Sequence, residues 1–331
     1  MKYLFILISC ISVNSFSQFT LSQPIDLLGH KDGARTVHFS ADNNTVYGDW
    51  DAIVAWDIAS KGITKTVEIP GYNTQKSAFN GDDLWLNANS NYNTAKKDIM
   101  DMHNNVNIYI GSTITPHQVK KGYGVAAFIP GSTDAIIVGT TETYQFKVVR
   151  LNTADFKEST MYFNEKTHGE GVPTAIKISP DNKYVAVSMA GGGAGGNVYS
   201  IADGKNVVSI KFSKDANDIA FSGDGKYIYS NDGDNLVQIS TETWKKTNSW
   251  KVTGTIKSLD ANKDGGLIGL ALIKKGAILF NATSGSIHSE LATSEVADIT
   301  FSNDSKYLGL GMHKTLHSEQ VASIRLYEIS Y

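Results

Sequence analysis

The sequence predicts an all-β chain: a seven-bladed β-propeller of four-stranded antiparallel blades, its last blade closed by the N-terminal strand. Three observations predict it. A Phe/Ile-Ser-x-Asp turn signature recurs about every forty residues, no helical periodicity follows the first seventeen residues, and thirty glycines stand against six prolines.

The chain opens on an export pattern. Lys2 supplies a minimal basic start, Leu4 to Val13 a short apolar stretch, and Ser15-Phe16-Ser17 small residues before Gln18. Together they predict a signal peptide over 1–17 and a single propeller domain over 18–331, with a periplasmic or extracellular destination. An apolar run of about ten residues is half the roughly twenty that cross a bilayer, so no transmembrane helix is expected. Leu7-Ile8-Ser9-Cys10 is similar to a lipobox, but its apolar stretch is cramped, and cleavage before Gln18 is expected over a lipid anchor at Cys10. Cys10 is the only cysteine. A processed chain would therefore lack disulfides, thiolate catalysis and cysteine-bound metals, relying on its core alone as a large domain can.

The repeat units come next. Phe39-Ser40-Ala41-Asp42-Asn43, Ile178-Ser179-Pro180-Asp181-Asn182, Phe221-Ser222-Gly223-Asp224-Gly225 and Phe301-Ser302-Asn303-Asp304-Ser305 align, with weaker copies at Phe79-Asn80-Gly81-Asp82 and Ala261-Asn262-Lys263-Asp264. Their aspartates are spaced 40, 99, 43, 40 and 40 apart, and Phe128-Ile129-Pro130-Gly131-Ser132 fills the double gap. That makes seven units. Each reads as a short strand, a turn in which Asp bonds its own backbone and Gly or Asn takes φ > 0, then two β-branched or aromatic strands. A fourth, shorter and more polar strand is expected at each outer edge. The chain ends in a third-strand pattern, Ser323 to Ile329, and an extra strand-like segment, Gln23 to Leu28, precedes the first unit. Pairing these two ends would complete the last blade.

Gly29-His30 followed by Trp56-Asp57 resembles a WD-repeat blade, and Lys226-Tyr227-Ile228-Tyr229-Ser230-Asn231 is similar to YVTN-type propeller repeats. The chain is thus identified as a divergent relative of that superfamily over residues 20 to 331. The resemblance implies a structural network of His30, Asp51 and Trp56, with Asp51 one residue nearer the tryptophan than in the family pattern. It implies no enzymatic role.

Composition narrows the function. The net charge is −3 and no Lys/Arg block occurs, so the footprint of a nucleic-acid binder is missing. No Gly-x-Ser-x-Gly elbow is present. Gly191 to Gly196 is rich in glycine but leads into a strand, not the helix a phosphate loop needs. His313 and His317 share the spacing of a helical zinc pair, yet they fall in a loop, and no metal or cofactor is expected. Three second-to-third-strand connections look long: Asn87 to Asn105, Ala190 to Gly196 and His313 to Val321. They would emerge on one face, where Trp50, Tyr92, His103, His313 and His317 are the candidate binding residues. The expected function is a monomeric, non-enzymatic binding or scaffold protein recognising a protein, polar or glycan ligand there. The alternative is a propeller hydrolase, lyase or redox enzyme with its site at the central channel mouth.

Overall fold

The computed structural model describes residues 19–331 except 32, 51, 69–73, 80–83, 91–103, 111–112, 120–122, 141–144, 156, 168–170, 192–193, 293–294 and 313–321. Its strands form six four-stranded antiparallel sheets and one five-stranded sheet, arranged as an all-β propeller. Each four-stranded sheet is a simple meander. The first holds Thr36–Phe39, Thr45–Asp49, Ala52–Asp57 and Ile63–Glu68 in that order. The other five repeat the pattern, opening on inner strands Thr74–Phe79, Tyr123–Phe128, Val172–Ile178, Ile219–Phe221 and Ile256–Ala261. Each of these inner strands packs against the next around the ring, and Val296–Phe301 returns to Thr36–Phe39.

The sheet that begins at Val296–Phe301 departs from the expected four strands. Tyr307–Met312 and Ile324–Ser330 follow, and the outer edge is then built by two short N-terminal pieces, Thr20–Leu21 and Ile25–Leu27. Thr20 pairs with Ser330 and Ile25 with Leu326, both antiparallel. Asp26 clamps Arg325 through two bonds of 2.7 and 2.9 Å. Between the two pieces the register slips by one residue: the Ser22 hydroxyl, not a backbone carbonyl, accepts the Glu328 N–H, and Pro24 has no N–H to give.

The turn signature has a specific chemistry. The hydroxyls of Ser179, Ser222 and Ser302 donate to Asp181, Asp224 and Asp304, and each accepts the N–H of the tyrosine five residues on. The same aspartates accept the N–H of Lys183, Lys226 and Lys306. The residue after the aspartate has positive φ in each of the five described turns: Asn43 61°, Asn182 58°, Gly225 72°, Gly265 72° and Ser305 61°. Glycine, and to a lesser degree asparagine, takes that conformation at low cost. Neighbouring turns are also tied to one another, as where Asn303 bonds Asn43 and Ser40 across the ring closure.

The outer strands are polar as expected but not short; Glu158–Thr167 runs ten residues. They must cover the whole length of the third strands, which carry much of the core. That core lies between sheets rather than at one centre. Trp56, Leu27, Ile324 and Leu326 pack where the first sheet meets the composite one. Phe146, Val187 and Tyr199 do the same between the third and fourth. No helix of the described residues is long and apolar enough to cross a membrane.

Candidate functional site

The inner strands enclose a central channel, and its cavity of about 350 Å3 is lined from all seven of them. An innermost strand has no ladder partner on its channel side, so its N–H groups need other acceptors. Three aspartates supply them. Asp218 accepts from Leu259 N–H at 3.0 Å, Asp260 from Phe301 N–H at 2.8 Å, and Asp298 from Val37 N–H at 3.0 Å. Each carboxylate therefore stitches its own sheet to the next. The Ser258 hydroxyl sits between Asp218 at 2.8 Å and Asp298 at 2.6 Å, and its single proton serves one of them at a time. Thr300 adds a 3.0 Å bond to Asp260.

Lys177, on the inner strand Val172–Ile178, brings a positive charge into this ring of carboxylates. Water reaches Lys177 and Asp260 by way of the channel, while protein surrounds them on every other side. Desolvation pulls the Lys177 pKa down, but the combined attraction of Asp260, Asp218 and Asp298 outweighs it and leaves the ammonium above the usual lysine value. Desolvation pushes the Asp260 carboxyl above the ordinary aspartate value, against the pull of Lys177 and its hydrogen bonds. A carboxyl and an ammonium facing one cavity, both displaced, mark the described site with the most chemical potential.

The channel is layered. The last residues of the inner strands are Phe39, Phe79, Phe128, Ile178, Phe221, Ala261 and Phe301, so aromatic rings gather at the end bearing the Ser-Asp turns. One residue earlier the same strands carry His38, Ala78, Ala127, Lys177, Ala220, Asp260 and Thr300. Ala78 and Ala127, on neighbouring inner strands, line the cavity with little bulk, whereas Ala220, between Lys177 and Asp260, is fully buried. At the opposite end, Arg35 lies 3.7 Å from the centre of the Trp50 ring. Desolvation lowers the Arg35 pKa, opposed by Asp49 and Glu295. Lys257 and Glu295 approach to 3.8 Å beside them.

The sequence candidates fare unevenly. Trp50 is described and half-buried beneath Arg35. Tyr92, His103, His313 and His317 lie outside the described residues, as do Cys10 and the predicted leader. The Ala190 to Gly196 connection is shorter than expected: Tyr184–Ala190 pairs with Gly195–Ser200, with Met189 against Gly195, so Gly195 and Gly196 belong to the ladder. The ladder forms because Gly195 takes φ 147°, where any Cβ would meet the Ile210 carbonyl oxygen at 1.9 Å. Of the expected structural network, Asp51 is outside the described residues. Trp56 donates from its indole to the Leu28 carbonyl at 3.1 Å, and its ring is 5.8 Å from that of His30, whose N–H bonds Ser323. No group of three or more His, Cys, Asp or Glu suited to a metal occurs among the described residues.

Sequence reasoning missed the channel residues. Their signal was present: Asp218, Ser258 and Asp298 repeat at intervals of 40 at or just before inner strands, where an ionised aspartate is costly unless it has a task. The turn aspartates, repeating at the same period, masked it. No protein-family model matches this chain, and no curated protein matches it.

Proposed function

We propose that this protein is an exported, seven-bladed binding propeller, the composite sheet being its seventh blade, which holds a polar ligand in its central channel. The observation that carries the reading is the 350 Å3 cavity, which combines an apolar aromatic end with a few convergent polar groups. The Lys2, Leu4 to Val13 and Ser17 pattern supports export, and Gly29-His30 with Trp56-Asp57 supports distant kinship with WD-type repeats. Recognition stays as the expected role, but its centre moves from the long-loop face to the channel.

Binding is favoured over turnover because the carboxylates already have structural work. Asp218 and Asp298 hold backbone N–H groups of neighbouring sheets, and a group so committed is a poor general base. The second reading, a channel enzyme, draws on Asp260 and Lys177, which share the cavity with displaced pKa values.

A thermal-shift screen of small polar compounds against wild type and Ala127→Phe tests the reading. Ala127 lines the cavity, so phenylalanine there takes up part of its space while leaving every charged residue unsubstituted. The expected result is compounds that stabilise wild type and lose their effect in a folded Ala127→Phe protein. Stabilisation that survives this variant, but disappears when residues 313–321 are trimmed, would return the site to the loop face.

A further inference from the structure

We propose, resting on the channel-binding reading above, that the channel ligand is a neutral polyhydroxylated ring, a mono- or disaccharide, bound through Lys177 and Asp260 beneath the phenylalanine end. Lys177 supplies the first reason. An ammonium has three donors, and among the described residues no hydrogen bond and no close ion pair reaches this one. Its charge is offset by Asp260, Asp218 and Asp298 at longer range, while its donors face the cavity. Solvent in the channel can meet these donors, and a ligand oxygen taking its place would form a charge-assisted hydrogen bond.

The carboxylates supply the second. Asp260 takes Phe301 N–H and Thr300 on the same oxygen, and a carboxylate can accept about four hydrogen bonds. It retains capacity for a donor from the cavity. A ligand must therefore accept from Lys177 and donate to Asp260, and a hydroxyl does both.

Charge decides among polar ligands. Three carboxylates face one ammonium across the cavity. An anion drawn by Lys177 meets three carboxylates, and a cation, though drawn by the excess negative charge, must share the small cavity with the Lys177 ammonium. A neutral polyol meets neither penalty. Half-buried Phe39 and the largely buried Phe128, Phe221 and Phe301 line the cavity and make this end apolar, which suits the C–H side of a sugar ring. The volume, about 350 Å3, is at the lower end of small-ligand sites and suits one or two such rings.

Isothermal titration with a matched set tests the inference: glucose, N-acetylglucosamine and lactose as neutral rings, glucuronate as the anion, glucosamine as the cation. At least one neutral sugar should bind, with glucuronate and glucosamine each about tenfold weaker or more. Lys177→Met should weaken that sugar about tenfold, the equivalent of about 1.4 kcal/mol. Ala127→Phe, which leaves the charges intact, should abolish binding in a protein of unchanged circular dichroism. Tighter binding of glucuronate or glucosamine than of any neutral ring overturns the inference. So does sugar binding indifferent to Ala127→Phe. If no sugar binds while other compounds lose their thermal shift in Ala127→Phe, the saccharide inference fails and the channel reading stands. If no compound is sensitive to that variant, both fail.

Discussion

Tyr229 shows how much of this fold hangs on single polar contacts between sheets. Its fully buried hydroxyl donates to the Gly265 carbonyl of the next sheet at 2.6 Å and accepts from Gln238 at 2.7 Å. Desolvation raises its pKa to about 12, opposed by the Gln238 bond. The unfolded chain loses this proton near 10.0, before the folded one does, so stability should fall as pH rises from 10 toward about 12. Two units amount to about 2–3 kcal/mol at most. Tyr229→Phe should cost about 1–2 kcal/mol at neutral pH, because it strands both partners, and should flatten part of the alkaline decline. Urea midpoints at pH 9 and 11.5 for both proteins check this; parallel declines would contradict it. Gly195 is a second such residue. Gly195→Ala would drive a methyl into the Ile210 carbonyl, and a loss of about 3 kcal/mol or more is expected from calorimetry.

At the scale of elements, the turn signature was the most legible feature of the sequence. Ser, Asp and a left-handed residue make contacts within five positions of one another, so their chemistry is local and survives without knowledge of the fold. The outer strands and the Gly191 to Gly196 connection were less legible, because their extent depends on the strand they pair with. The turn aspartates also set the acid limb of stability. For Asp181, Asp224 and Asp304 desolvation acts upward, but hydrogen bonds from the serine and lysine partners prevail and leave each pKa below 3.8. A lowered folded pKa stabilises above the unfolded value and loses that contribution as pH falls through it. The triple variant Asp181→Asn, Asp224→Asn, Asp304→Asn should be less stable at pH 6 and lose less between pH 5 and pH 2.5. An acid limb as steep as that of wild type would assign the acid sensitivity elsewhere.

At the scale of the whole molecule, the ring is closed by non-covalent pairing of the chain's two ends. Ile25–Leu27 and Thr20–Leu21 cover an edge that Ile324–Ser330 would otherwise expose, and Phe19 is buried against the sheet next to it. Deleting residues 19–28 should abolish a single cooperative melting transition, while Asp26→Ala alone should lower the midpoint by only a few degrees, its ion pair being partly exposed. An unchanged transition in the deletion would show that closure does not depend on this segment. The sequence by itself determined the repeat, the turns and the meeting of the termini, since each is written in residues close together or at a constant period. Only the tertiary structure decided the channel. Asp218, Asp260, Asp298 and Lys177 belong to four different sheets, and which of their side chains meet depends on how each strand is registered and how the sheets are turned about the axis. A pattern of period two within each strand carries the inward direction, but the company a side chain keeps across the ring exists only once the ring has closed.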